Sequence, residues 1–103
     1  MAQKSNLQIF MDLVKAREQA NKLDEAAKSI RKESSRFEEC RADIKQSWEG
    51  DNANRFTGKM GVVSDDLAKI AKQLEKTADV IRKNAQKIHD AEMEAKRLAE
   101  IRK

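Results

Sequence analysis

His89 is the only histidine and Cys40 the only cysteine of this 103-residue chain. The two side-chain types best suited to proton transfer and nucleophilic attack therefore occur once each, far apart in sequence. A Cys-His pair needs a third group to orient the base, and a di-metal helical bundle needs histidines in repeated Glu-x-x-His patterns; neither arrangement is present. One cysteine cannot close an intrachain disulfide, and no Cys/His pair has metal-ligand spacing. Cys40 reads as a small apolar residue beside a helix seam, the alternative being an interchain bridge or a reactive thiol. Lys87, His89 and Glu92 cluster in sequence, but on a charged helix such a cluster is a solvated face. Thr57-Gly58-Lys59 lacks the upstream glycine and the strand-loop context of a phosphate loop. No catalytic residue, cofactor or metal is indicated. What remains is Trp48-Glu49-Gly50, whose chemistry is that of contact: the only tryptophan stands beside a residue able to reverse the chain.

The elements that present it follow from composition and period. Proline is absent, 39% of residues are charged and only 4% aromatic. Strong helix formers dominate, so sheet is not expected and an elongated helical assembly fits better than a globular core. Alternating steps of four and three from Ile9 give Leu13, Ala16, Ala20, Leu23, Ala27, Ile30, Ser34, Phe37, Arg41, Ile44 and Trp48, with Ser34 and Arg41 out of character. The same steps give Phe56, Met60, Val63, Leu67, Ile70, Leu74, Thr77, Ile81, Asn84, Ile88, Ala91, Ala95 and Leu98 after the midpoint. These stripes predict an all-α chain: helix one over about 6–48, a turn at 49–51 and helix two over about 52–100, in a single domain spanning 1–103. Each helix would be on the order of 60 to 70 Å long at about 1.5 Å per residue.

Gly50 provides the left-handed position that ends a helix, and Asp51 or Asn52 an oxygen to cap the next. So short a connection makes the helices antiparallel. Gly58 and Gly61 either allow close helix approach, the preferred reading, or mark a kink. Beside the seam of helix two runs a second row, Ala71, Ala78 and Ala85, with Val62 and Val80 further round; Phe10, Val14 and Ala26 flank the seam of helix one. Faces this wide suit a four-helix bundle better than a lone hairpin. The expected hairpin and dimer core is Leu13, Leu23, Ile30, Phe37, Ile44, Phe56, Met60, Val63, Leu67, Ile70, Leu74, Ile81 and Ile88. Burying one more large apolar side chain stabilises by about 1.5 to 3 kcal/mol.

Charge and leader signals narrow the partners. The net charge is +4, but acids and bases interleave, and the one short basic group is Lys96, Arg97, Arg102 and Lys103. Counterion release needs unopposed cations along a face, so specific nucleic-acid binding is not expected. Nor is stable membrane insertion, for no stretch approaches transmembrane length. Residues 1–14 lack the apolar run and cleavage site of a secretory signal.

Ser47-Trp48-Glu49-Gly50, followed by Ala53 and Phe56, resembles the WxG helical-hairpin family, the ESAT-six-like substrates of type VII secretion in Gram-positive bacteria and mycobacteria. The resemblance covers the whole chain, and its force lies in the Trp-x-Gly standing between two seams. It implies a four-helix-bundle dimer, of this chain with itself or with a related WxG-type chain. It further implies export without a cleaved signal peptide, driven by an FtsK/SpoIIIE-type ATPase. In that family the Trp-x-Gly turn of one protomer and the C-terminal tail of the other form a composite export signal, so Trp48 would carry the aromatic half and Gly50 would make the turn. Trp48 as a plug at the bundle end is the compatible alternative. The family's tail has a tyrosine with an acid four positions on, and this chain has no tyrosine. His89, Glu92 and Glu94 are the candidates for a substitute tail signal, although Met93 stands four residues after His89; the alternative makes His89 an ordinary helix residue. Asp90 and Glu94, four apart, share a helix face. The expected function is a secreted effector or a component of the secretion apparatus. Its alternative is a cytoplasmic adaptor or chaperone for a larger type VII toxin.

Overall fold

The computed structural model describes residues 4–102 and holds two helices, α1 (Asn6–Ser47) and α2 (Asp51–Ile101), in a helical hairpin with no strand among those residues. Lys103 of the basic tail lies outside them. α1 starts where Ser5 can cap it: the Ser5 hydroxyl accepts the Gln8 backbone N–H at 3.0 Å, and the Ser5 carbonyl accepts that of Ile9 at 3.0 Å. The first of these satisfies a donor orphaned at the helix start, and the second is the first regular bond of the helix. α1 ends one residue short of Trp48, so the turn is residues 48–50. Gly50 has φ +110°, a value strained for any residue with a Cβ. Its carbonyl accepts the Asn54 N–H at 3.0 Å. Gly50 thus occupies the cap position expected for Asp51 or Asn52. Asp51 is instead the first helical residue, its carboxylate in the turn where the helix dipole favours an anion.

Packing divides into two compact units, Asp24–Glu75 on the turn side and Met1–Leu23 with Lys76–Lys103 at the open end. In the turn-side unit the buried residues are Ala27, Ala53, Thr57, Met60, Ser64 and Ala71. Both polar interruptions of the α1 stripe find polar partners there. Ser34 donates to the Ser64 carbonyl at 3.0 Å while Ser64 reaches back to the Ser34 carbonyl at 3.3 Å. Arg41 donates from Nε to the Thr57 carbonyl at 2.7 Å and from Nη1 to Glu38 at 3.2 Å. A Cβ on Gly61 would lie 3.0 Å from the Arg41 guanidinium carbon, whereas one on Gly58 would meet open space. Close approach therefore explains Gly61 and not Gly58. On the solvent side Arg31 is paired with Glu75.

The open-end unit buries Ile9, Leu13, Ala20 and Ala78. Polar clips cross its seam on the outside: Arg17 to Gln86 at 2.7 Å, Arg82 to Asn21 at 2.9 Å, and Lys4 to Glu92 at 3.3 Å, Lys4 also holding Asp12 on its own side of the seam at 3.0 Å. The bond to Asp12, then that to Glu92, raises the Lys4 pKa above its ordinary value; the Lys4 ammonium, then the Gln8 amide, holds Asp12 below its own.

The seam of α2 differs from the predicted one. Met60, Leu67, Leu74 and Ile81 face inward as expected, fully or half-buried, but between them the inward positions are Thr57, Ser64, Ala71 and Ala78. Phe56, Val63, Ile70 and Ile88, expected in the core, are exposed in the single chain. Small side chains let the helix axes approach, and the larger ones are displaced to the rim. Leu23, Ile30, Phe37 and Ile44 of α1 are half-buried, leaving Leu13 and Met60 as the fully buried large residues of the expected set. Cys40 is exposed rather than seated beside the seam, because it falls on the side of α1 away from Arg41 and Ser34.

Candidate functional site

The turn is built by local hydrogen bonding. Ser47 returns its hydroxyl to the Asp43 carbonyl at 3.0 Å, and the Trp48 N–H closes the last turn on the Ile44 carbonyl at 2.9 Å. This brings the indole to the chain reversal, and α2 then places Phe56 beside it. The two rings lie 6.1 Å apart between centroids with planes tilted by 52°, within the range of favourable aromatic pairs. Trp48 is 47% exposed and Phe56 48%. In the single chain the indole is therefore supported from one side and open on the other. The hydroxyl of Thr57, one residue on, donates to the Ala53 carbonyl at 3.0 Å and so is satisfied within α2.

An apolar flank continues from this pair within the turn-side unit. Phe56, Val63 and Ile70 precede the inward Thr57, Ser64 and Ala71 by one residue, so they stand on one side of the α2 seam. Ile30, Phe37 and Ile44 follow Ala27, Ser34 and Arg41 by three, which is the same rotational offset in sense. In antiparallel helices that offset points to the same side of the pair. The flank is thus shared by both helices, while Arg31 and Glu75 occupy the other side.

The open-end unit carries the residues considered for a tail signal, and it does not unite them. The His89 side chain is 25% exposed and its Nδ1 lies 3.2 Å from an Asp90 carboxylate oxygen. With Ala16, Leu13, Ile81, Ala85 and Ile88, His89 lines a groove of about 340 Å³ that Lys4, Asp12 and Glu92 also border. Glu92 is bonded to Lys4. Glu94 points elsewhere, two residues and about 200° further round, and takes Arg97 in a two-pronged contact of 2.6 and 3.1 Å. His89, followed by Gln86, holds the Asp90 carboxyl below its ordinary value, and Arg97 does the same for Glu94. No group of three or more His, Cys, Asp or Glu side chains that could hold a metal occurs among the described residues. Nor is any described helix long and apolar enough to cross a membrane.

The Trp-x-Gly tripeptide at the reversal and the chain length of about 100 residues are the features that the family comparison shares. The WXG100 model, described as proteins of 100 residues with WXG, matches residues 8–93. The chain belongs to the WXG100 family. WXG100 proteins are small, helical and non-enzymatic, belong to type VII secretion, and typically form dimers with WxG partners. No curated protein and no solved structure matches the chain. In WXG100 terms Trp48 and Gly50 are the named residues of the motif. Sequence reasoning located them but missed Phe56 as the support of the indole; an aromatic eight positions after a tryptophan, across a tight turn, was the available signal. It also missed the Ser5 cap, legible in the Ser5-Asn6-Leu7-Gln8 run.

Proposed function

We propose that this WXG100 protein leaves the cell through a type VII system as a folded helical dimer, without a cleaved signal peptide, and acts as a secreted effector or as a component of the secretion apparatus. The half-exposed Trp48 ring, carried on Phe56 beside the Gly50 reversal, is the observation that supports this reading. An indole needed only for stability would be expected deep in the seam. Left half-open, it offers an apolar anchor to an FtsK/SpoIIIE-type ATPase or to the tail of a partner chain. The flank of Phe56, Val63 and Ile70 supports pairing with a second hairpin, either of this chain or of a related WxG-type chain, since covering each such side chain would stabilise by about 1.5 to 3 kcal/mol.

The test uses Trp48→Ala in cells that carry the secretion system. The variant should keep its helicity and its dimeric mass but remain in the cell pellet; wild-type levels in the medium would remove the role of Trp48. Sedimentation of purified protein as a fully helical 11.8 kDa monomer at micromolar concentration would remove the dimer.

A second reading, a cytoplasmic adaptor that escorts a larger type VII toxin, is favoured by one observation. The chain has no tyrosine, and His89, bonded to Asp90 and partly withdrawn into a groove, is a poor substitute for an exposed aromatic tail signal. This reading predicts that wild-type protein stays in the pellet and co-purifies with an unlike, larger chain. Recovery of wild-type protein in the medium without such a chain would contradict it.

A further inference from the structure

We infer that Ser34 with Ser64, and Arg41 with Thr57 and Gly61, form two matched polar layers that select α2 as the seam partner of α1, at this register, over a second copy of α1. Pairing alone is at issue, and it does not depend on export.

The remaining seam is repetitive. Buried Ala20 and Ala27 stand seven residues apart on α1, as do Ala71 and Ala78 on α2, and the rows beyond them repeat leucine or isoleucine at the same interval. Alanine layers of that kind fit one another equally well after a shift of one heptad, or against the same helix of another chain. The polar layers do not. A shift of seven residues toward the C-terminus of α2 would replace Gly61 by Ala68 beside Arg41, and a Cβ at the Gly61 position already falls 3.0 Å from the Arg41 guanidinium carbon and 3.2 Å from Nε. The opposite shift sets Ser64 against Ala27 and separates it from Ser34.

Pairing α1 with α1 of another copy, antiparallel about Ala27, sets Ser34 against Ala20 and Arg41 against Leu13. The guanidinium would then keep Glu38 but lose the Thr57 carbonyl it holds at 2.7 Å and face a leucine in its place, while each Ser34 would lose a hydroxyl partner at 3.1 Å. Buried polar groups are known to fix register and partner in helical seams even where apolar replacements are as stable. Arg41 is thus a pairing determinant: its Glu38 contact within α1 survives any alignment, but its bond to the Thr57 carbonyl on α2 is made in one alignment only.

The experiment places a reporter cysteine in the seam. In a Cys40→Ser background, Ala27→Cys puts a thiol that is buried against α2 in the native pairing and meets its counterpart in a second copy when α1 pairs with α1. After mild oxidation across a range of concentrations, this parent should remain monomeric on a non-reducing gel. Adding Ser34→Ala, Ser64→Ala and Arg41→Leu should leave helicity by circular dichroism intact, yet raise the disulfide-linked dimer at least several-fold. Gly61→Ala alone, which displaces the guanidinium without removing a polar group, should raise it to a lesser degree. Covalent dimer already abundant in the parent, or no increase in either variant, overturns the inference. Loss of helicity in the triple replacement together with no increase for Gly61→Ala would overturn it too, marking the layers as needed for folding rather than for choice.

Discussion

The turn-side unit sets serines, a threonine and a half-buried arginine among Ala27, Ala53, Met60 and Ala71, whereas the open-end unit closes over Ile9, Leu13, Ala20 and Ala78 and keeps its polar bonds on the outside. The two use one heptad scheme for different ends. Directional bonds in the first specify an alignment; area removed from water in the second supplies stability without direction.

The sharpest way to test that contrast is to damage the apolar unit. Leu13→Ala should cost roughly 2 to 5 kcal/mol by the combined loss of transfer free energy and residual cavity, read as a lowered urea midpoint. Overpacking comes next: Ala20→Leu puts three extra carbons where no exposed surface remains and should cost about 1 to 3 kcal/mol in the same assay. Gly50→Ala bears on the reversal rather than on either seam, and forcing a Cβ into φ +110° should cost roughly 1 to 2 kcal/mol, seen as a lowered thermal midpoint. In the polar unit Ser34→Ala should be milder, about 0.5 to 1.5 kcal/mol; a cost matching that of Leu13→Ala would erase the contrast.

The smallest effect belongs to the exposed clip at Lys4. The Asp12 pKa is lowered in the folded chain, so its contribution is present above the ordinary value of 3.8 and fades as pH falls through the lower folded value. That of Lys4, whose pKa is raised, is present below 10.5 and fades as pH climbs through the higher folded value. Amide exchange in the first turns of α1 should accordingly be insensitive to Lys4→Ala at acid pH beyond the pH dependence of exchange itself, and faster in the variant near neutrality. Equal protection in both proteins near neutrality would show the clip to be idle.

Much of the hairpin was legible because proline is absent and the apolar step of four and three persists on each side of Trp48. Half of the α2 seam was also legible, in Met60, Leu67, Leu74 and Ile81, which serve either of two adjacent rows. The other half stands outside the hairpin's inner row for a physical reason. Apolar periodicity weights Phe56, Val63 and Ile70 above alanine and serine, but two helices in close contact select the small side chains for the inner row. Which row faces inward depends on the distance between the helices, a quantity absent from any one stripe. Ser34 and Arg41 looked like defects for the same reason: their partners lie on the other helix. At the candidate site, Trp48 and Gly50 could be named from the tripeptide, while the turn of His89 into a groove and of Glu94 away from it required the packed helix.

The aromatic pair at the reversal also has an optical consequence. With one indole and no tyrosine in the chain, intrinsic emission comes essentially from a single ring whose surroundings are half water and half phenylalanine. A molecule that settles on that ring should shift the emission toward the blue, and a rearrangement of the bend should alter its lifetime. The protein thus carries its own label at the place where recognition is expected, and binding there can be followed on unmodified material.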